Sequence, residues 1–407
     1  MAAPHRQNAF TAWISQFWRR VTTGLELNQL WSQFQTDAKA SYHLYSREVD
    51  FAKPQGVRRG MYFLSVAKQF FWAILEQLSP ARRLLLLLAL VLVLLSGEFN
   101  WHDAAGNEHI FNFDFRIFGS LLLLLLLLLE VTDRVVMKRD LQIAREIQTW
   151  LLPSRPPEVP GLDIAFAARP ANTVAGDYYD VFPRASFNST PANPDSTALN
   201  LAALDAHQAF LFVVADVAGK SIPAALLMAS VQASLKTLST TPCSLQELAI
   251  GMNLYVCGNS QGGRRFVTAF LAEYVPADRT LTYINAGHNP PLLRRSSGNK
   301  DAGTIERLEA GGLPLGIECG AAYQTGRVTL EPGDWLAIFT DGLVEATNAQ
   351  DEEYGEERVI ACLQSGASAA SATSLISQIM VGLDLFVGKN LPLADDVTCV
   401  LVRAISK

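Results

Sequence analysis

The amino-acid sequence predicts an α+β fold in which a sheet-rich region follows a helical, membrane-associated N-terminal third. Three observations predict it. Two leucine-rich runs interrupt the first third of the chain. From Pro153 onward, short strand-like runs and a few helical stretches follow one another without regular alternation, which argues against a doubly wound sheet. Four aspartates stand in the segments GDYYD (176–180), VADVAG (214–219), FTDG (339–342) and DDVT (395–398), and three of these contexts put the acid where an apolar run meets or leaves a turn.

In chain order, the start MAAPHRQNAFTAWISQFWRR lacks the continuous apolar stretch of a secretory signal, so the N-terminus is expected to stay in the cytoplasm. Residues 61–78, MYFLSVAKQFFWAILEQL, mix aromatics with Lys68 and Glu76 and end at Pro80. They read as an interfacial helix or as a small packed one. The leucine-rich runs Leu84–Gly97 and Ile117–Leu129 hold 14 and 13 uncharged residues. As helices they reach only about 20 Å, against a hydrocarbon core of roughly 30 Å. Leu121–Leu129, however, cover every face of a helix. A membrane hairpin over 82–131 is therefore expected, behind a cytoplasmic or interfacial region 1–81. Arg58, Arg59, Lys68, Arg82 and Arg83 precede the first run, and Arg134, Lys138, Arg139 and Arg145 follow the second. The connecting stretch from Glu98 to Arg116 is acidic, so both ends are expected at the cytoplasmic face of a bacterial inner membrane. Val136, Ile143, Ala144, Ile147 and Leu151 recur at helical spacing. That spacing predicts a linker helix over 132–152, either a rigid spacer or a homodimer contact that passes motion onward.

The remaining elements belong to a domain expected over 153–407. LDIAFAA (162–168), AFLFVVAD (209–216), FVTAFLAEYV (266–275), TLTYIN (280–285), DWLAIFTD (334–341) and VTCVLVRA (397–404) read as strands, with PADR and EPGD as turns. Helices are expected at Pro223–Leu238, after Ser244, where Glu247 completes a capping-box pattern, and near Ser371–Phe386. Residues between Pro183 and Gln208 are polar and rich in Pro, Asn and Ser, and read as a mobile insertion.

With 49% hydrophobic residues among 407, the chain has material for one large domain and a smaller region. A net charge of −6 and the lack of a basic, aromatic-interleaved groove argue against nucleic acid and a nuclease. Five scattered cysteines, with no CxxC pair, favour a reducing compartment and neither a disulfide framework nor a structural zinc. Clustered carboxylates repel one another and raise each other's pKa, so a set of four points to hard divalent cations such as Mg²⁺ or Mn²⁺.

Eight segments then occur in one order: LQIAREIQTWLLP, ARPANTVAGDYYDVF, VVADVAGKSIPAALLMA, FVTAFLAEY, NAGHNPPLL, GGLPLGI, FTDGLVEATN and DDVTCVLV. Over residues 141–404 this order and spacing resembles bacterial PPM-type phosphatases, in the sporulation stage II protein E branch of the protein phosphatase 2C-like superfamily. The resemblance implies a central β-sandwich flanked by helices, with two Mn²⁺ or Mg²⁺ ions at one end. It also implies hydrolysis of phosphoserine or phosphothreonine on a regulatory protein of the anti-anti-sigma type, through a water shared by the ions.

By motif, Asp216 is expected to bridge both ions with the Val217 carbonyl beside it, and Asp177, Asp341 and Asp395 to complete the set. Asp180 either assists Asp177 or is an exposed acid closing a strand. Asp396 is the alternative to Asp395, since neighbours on a strand point to opposite faces. Gly176, Gly219 and Gly342 are expected to permit tight turns and close approaches. Thr340 buttresses its turn; Lys220 either touches phosphate or is a solvated loop lysine; His288 reads as a hydrogen-bonded turn histidine in preference to a proton donor. Animal-type members carry a histidine just after the bridging motif, which DVAGKS lacks, and Ser221 stands where the branch usually has glycine. A non-catalytic, membrane-tethered binding module on the same fold is the alternative reading.

Overall fold

The computed structural model describes residues 78–407 together with Trp72 and Leu75, leaving out 96, 103–107, 185–208, 221, 261–264, 297–302, 367–370, 389–390, 392 and 407, and giving only the backbone over 97–102 and 108–113. Most of the expected 61–78 helix, nearly all of the polar insertion and Ser221 lie outside the described residues. The chain divides into two compact units, residues 1–134 and 135–407.

In the first unit, helix α1 (Pro80–Leu94) starts with Pro80 in its first turn. An antiparallel pair follows, β1 (Gly97–His102) and β2 (Glu108–Phe113), with Gly97 opposite Phe113. Helix α2 (Arg116–Leu151) then begins. Ala89 is fully buried, and a Cβ at Gly119 would sit 2.9 Å from its carbonyl oxygen, so a small residue lets the two helices approach here. Arg82 bridges Glu130 at 3.1 Å and Asp133 at 2.5 Å.

The expected transmembrane hairpin is corrected here. Among the described residues no helix is long and apolar enough to cross a membrane. Helix α1 has 15 residues, which at 1.5 Å per residue is shorter than a hydrocarbon core of roughly 30 Å. The apolar run of α2 stops at Glu130, with Asp133 and Arg134 close behind. The stretch read as a plain connecting loop contains the β1–β2 pair.

The second unit is a sandwich of two sheets. One has the order β10-β7-β6-β5-β4, with β11 also pairing β7; the other has the order β3-β13-β12-β8-β9. The first sheet comprises β4 (Tyr178–Arg184), β5 (Ala209–Val217), β6 (Val267–Val275), β7 (Thr280–Ala286), β10 (Gly311–Gly312) and β11 (Gly326–Thr329). The second comprises β3 (Leu162–Arg169), β8 (Leu292–Arg294), β9 (Ile305–Arg307), β12 (Trp335–Phe339) and β13 (Val397–Ala404). All six expected strands form; β4 and the short β8 to β11 were not foreseen.

Side-chain alternation builds the layers. Along β5, Leu211, Val213, Ala215 and Val217 pack under helices α3 (Ile222–Leu238) and α4 (Leu245–Asn259), while Phe210, Phe212 and Val214 face the other sheet. Along β13, Val397, Cys399 and Leu401 pack beneath α6 (Glu356–Ser365) and α7 (Ala372–Val387), while Val400 and Val402 face inward. The architecture is therefore helix, sheet, sheet, helix, with one apolar layer between the sheets and one under each helical cover. The capping box of α4 is formed, with Ser244 Oγ accepting from the Glu247 amide and the Ser244 amide donating to Glu247 Oε2. Ser371 caps α7.

One cysteine expectation is also corrected. Cys257 at the end of α4 and Cys319 in the turn after β10 form a disulfide with a Cα–Cα distance of 5.8 Å. Their 62-residue separation hid the pairing, because only the fold lays the 316–319 turn on α4. Asn253 of α4 fastens the same turn, donating to the Glu318 carbonyl and accepting from the Gly316 amide.

Candidate active site

Strand parity explains how the acids come together. On β5 the residues facing the opposite sheet are even-numbered, and Asp216 is the next after Val214. In β4, Val181 faces the same way, so Asp177, just before the strand, shares its parity. Tyr178 pairs with Ala215, and one further step of that antiparallel register sets Asp177 opposite Asp216. On the other side Asp216 pairs with Thr268 of β6. The first sheet thus ends in a polar row, Asp177, Asp216, Thr268, on its inward face.

The second sheet answers with hydroxyls. Thr340 and Thr398 continue the inward parity of Ile338 and Val400. Thr340 Oγ1 donates to Asp177 Oδ2 at 2.9 Å and accepts from the Thr398 amide at 2.9 Å. Past these strand ends, Asp341 opens the short helix α5 (Asp341–Val344), and Asp395 and Asp396 precede β13. Gly342 makes this possible, since a Cβ there would lie 2.0 Å from the Asp396 carbonyl oxygen. At Gly176 a Cβ would come to 3.2 Å from the Val217 carbonyl oxygen and 3.6 Å from Asp216 Oδ1, so the backbone passes tightly over the expected carbonyl ligand. Gly219 follows at φ +111°, a conformation that glycine adopts without strain.

The electrostatics are those of a crowded acid cluster. Burial, then the charge of Asp216, holds the Asp177 carboxyl well above the usual carboxylate range, despite hydrogen bonds from Thr398 and Thr340. Burial, then Asp341 and Asp395, pushes Asp216 up to about 7. Asp341 is raised by burial and by Asp395. The site residues expected from the sequence, Asp177, Asp216, Val217, Asp341 and Asp395, therefore lie at one end of the sandwich. As ligands they fit a hard divalent cation in kind: four carboxylates and a main-chain carbonyl, with no thiol among them. Among the described residues no group of three or more His, Cys, Asp or Glu side chains is arranged to hold an ion, so the fit is one of charge and ligand chemistry.

Several neighbours take definite roles. Asp180 points away from the site: it is buried, accepts from Tyr178 Oη at 3.2 Å and pairs with Lys236 of α3 at 2.9 Å. It is thus neither a partner of Asp177 nor an exposed strand end. Asp396 clamps backbone, accepting from the amides of Ala171 at 2.7 Å and Gly176 at 2.6 Å. His288 is buried, its Nδ1 lying 3.2 Å from Thr268 Oγ1 and its own amide donating to Asn285 Oδ1. Burial pushes its pKa down to about 4, so it is neutral at pH 7 and is no imidazolium acid. Lys220 is an exposed loop lysine, as the solvated reading has it, but it does not stand alone: its Nζ lies 3.0 Å from Asp395 Oδ2.

Thr398 and Gln148 were not singled out in the sequence. Period-two alternation back from Val400 would have found Thr398. No pattern marks Gln148, a buried glutamine near the end of α2 that donates to the Ala175 carbonyl at 2.6 Å and accepts from the Ala175 amide at 2.9 Å. It lines a cavity of about 240 Å³ with Asp177, Asp396, Thr398 and Arg145.

Residues 206–405 match the family model described as Stage II sporulation protein E (SpoIIE). Over 266 residues the chain is 29% identical to phosphoserine phosphatase RsbU of Bacillus subtilis (strain 168), a match covering 65% of this chain and 70% of that protein. Phosphoserine phosphatase RsbP of the same organism is 24% identical over 213 residues, 52% of this chain and 46% of the relative, so the chain spans less than half of that protein's length. Among solved structures, the SiaA-PP2C domain of Pseudomonas aeruginosa shares the fold, with a TM-score of 0.51 at 17% identity over 67% of this chain and 98% of that one.

Proposed function

The chain carries a PPM-type (protein phosphatase 2C-like) domain of the SpoIIE branch, and from that premise we propose that it hydrolyses phosphoserine or phosphothreonine on a regulatory protein of the anti-anti-sigma type. The enzyme class is that of a PPM-type serine phosphatase. The observation that carries the reading is the facing pair of Asp177, buried, and Asp216, half-buried, both of raised pKa and flanked by Asp341 and Asp395. A protein that only bound a partner would gain nothing from that repulsion.

Bound Mn²⁺ or Mg²⁺, two ions by the family resemblance, would supply the charge and Lewis acidity that make water a nucleophile at neutral pH. Asp216 and the Val217 carbonyl would hold such ions, and Asp177, Asp341 and Asp395 would complete the set. The Thr340 hydroxyl fixes one oxygen of Asp177. Asp396 and Gly176 keep the 171–176 backbone against the site. No histidine follows the bridging motif and His288 is neutral, so among the described residues no protonated imidazole is offered to the leaving oxygen.

The finer expectations belong to the same proposal. Val136, Ile143, Ile147 and Trp150 of α2 are exposed apolar residues, the surface a homodimer through the linker helix would use. The catalytic domain would act in the cytoplasm, with a membrane surface as the neighbour of the leucine-rich unit. The test is release of phosphate from a phosphoserine peptide by the full chain with Mn²⁺, against its Asp216→Asn variant. Equal release from the two proteins would sink the mechanism.

A further inference from the structure

Of the groups around the carboxylates, Lys220 has no place in the mechanism above. It lies in the loop between β5 and α3, four positions after Asp216. Its Nζ is 3.0 Å from Asp395 Oδ2 and donates to the Ala394 carbonyl at 2.5 Å. These contacts span 174 residues of sequence and join the two sheets across the acid cluster, from the loop after β5 to the turn before β13. Among the described residues it is the one positively charged side chain paired with any of Asp177, Asp216, Asp341, Asp395 or Asp396. Its charge also favours the ionised forms of Asp341 and Asp396.

The other acids are held differently. Asp177 is fixed by a hydroxyl and Asp396 by backbone amides, neutral donors that add no charge. Asp395 alone is held by a cation. Any divalent ion taking Asp395 as a ligand must share that carboxylate with an ammonium at contact distance and meets a like charge a few ångströms away.

We propose that Lys220 is a positioning residue that straps the Asp395 turn across the two sheets and, as a built-in competing cation, weakens the site's hold on divalent ions. The inference rests on the phosphatase reading, because it presumes that Asp395 serves an ion. Two opposing effects are separable by sign. Loss of a merely structural strap loosens the turn and weakens ion binding; loss of a competing charge tightens it.

The experiment is calorimetric titration of Mn²⁺ into the full chain and its Lys220→Met, Lys220→Gln and Lys220→Arg variants, at low and at high KCl. Lys220 is half-exposed, so its truncation opens no cavity. Removing one unit charge near a half-exposed site is expected to tighten the Mn²⁺ dissociation constant about fivefold in both the Met and Gln variants. The gain should shrink to about twofold or less in 1 M KCl, where the Debye length is roughly 3 Å. Lys220→Arg, which keeps the charge, should stay within about twofold of the parent. Unchanged or weaker binding in Lys220→Met and Lys220→Gln overturns the proposal, as does tightening that ignores salt or that Lys220→Arg shares. A parent chain that takes up no Mn²⁺ overturns the phosphatase reading as well, so the two failures are told apart.

Discussion

The two sheets bring their polar residues to the site by different means. On the first, Asp216 belongs to β5 and Asp177 stands one residue before β4, where one further step of the β4–β5 register sets the two opposite each other. On the second, Thr398 of β13 and Thr340, one residue past β12, contribute hydroxyls, and the acids Asp341, Asp395 and Asp396 stand just past the strand ends. A carboxylate fixed by register has no freedom to escape its neighbour, whereas one in a turn is placed by whatever holds the turn. The repulsion is thus built into one wall of the site, and adjustment is left to the other.

The largest expected effect breaks the rigid wall. Asp216→Asn should lower kcat/KM on a phosphoserine peptide about a thousandfold, the equivalent of roughly 4 kcal/mol, and excess Mn²⁺ should not restore it. The same change should stabilise the chelator-treated protein at pH 8, by about 1–3 kcal/mol in urea unfolding, because it removes a half-buried charge that repels Asp177. The parent carries the matching pH dependence. With Asp216 raised to about 7, the folded state binds more protons than the unfolded one between the ordinary carboxylate value, 3.8, and about 7. Stability of the chelator-treated chain should therefore fall as pH rises through that window, and Mn²⁺ should flatten the fall. A chelator-treated protein whose midpoint climbs from pH 5 to 8 would contradict the strand-fixed pair.

A smaller effect is expected at the adjustable wall. Asp395→Asn should cost about 10–100-fold at limiting Mn²⁺ and recover most of it in excess, since a turn ligand exchanges with solvent where a register-fixed one does not. If Asp395→Asn proves as irrecoverable as Asp216→Asn, the contrast between the sheets disappears. Thr340→Val comes next, removing the donor to Asp177 and the acceptor of the Thr398 amide. An activity loss of about tenfold and a stability loss of about 1–3 kcal/mol are expected, because a buried amide is left without its partner.

The same contrast explains what was legible in the sequence. Strands β3, β5, β6, β7, β12 and β13 carry runs of apolar residues that end in turn signals, and all of them form where expected. The helix after Ser244 announces itself by its capping box. Four of the acids are recognisable from the motifs that hold them. Less visible were features set by tertiary contact. Strand β4, YYDVFPR, contains a proline and two charges and reads as a strand only beside β5. The Cys257–Cys319 disulfide and the bond of Gln148 to Ala175 depend on which turn lies over which helix. The leucine runs were the opposite case: composition pointed to a membrane-crossing pair, but length and the acids at 130 and 133 decide otherwise.

The smallest expected effect concerns the residue between the two walls. His288 follows β7, beside Thr268 of the first sheet and the backbone of Phe339 in the second. Among the described residues its ring is the one imidazole in position to be mistaken for the acid that protonates the leaving oxygen. Burial holds its pKa near 4, so a folded-state proton costs more here than in the unfolded chain. Stability from this group is full above about 6.5 and is lost as pH falls toward 4, opposite in sign to Asp216. Replacing His288 by Gln removes the titration while keeping a polar side chain for Thr268. The pH–rate profile of His288→Gln should then keep the parent's shape from pH 6 to 9, with kcat within about threefold, a loss far below the 10²–10⁴-fold typical of a lost general acid. Its unfolding midpoint between pH 4 and 6 should fall less steeply with acid than the parent's. A lost basic limb in that rate profile would instead make His288 a proton donor, and would place the reacting oxygen nearer the first sheet than the carboxylate pair does.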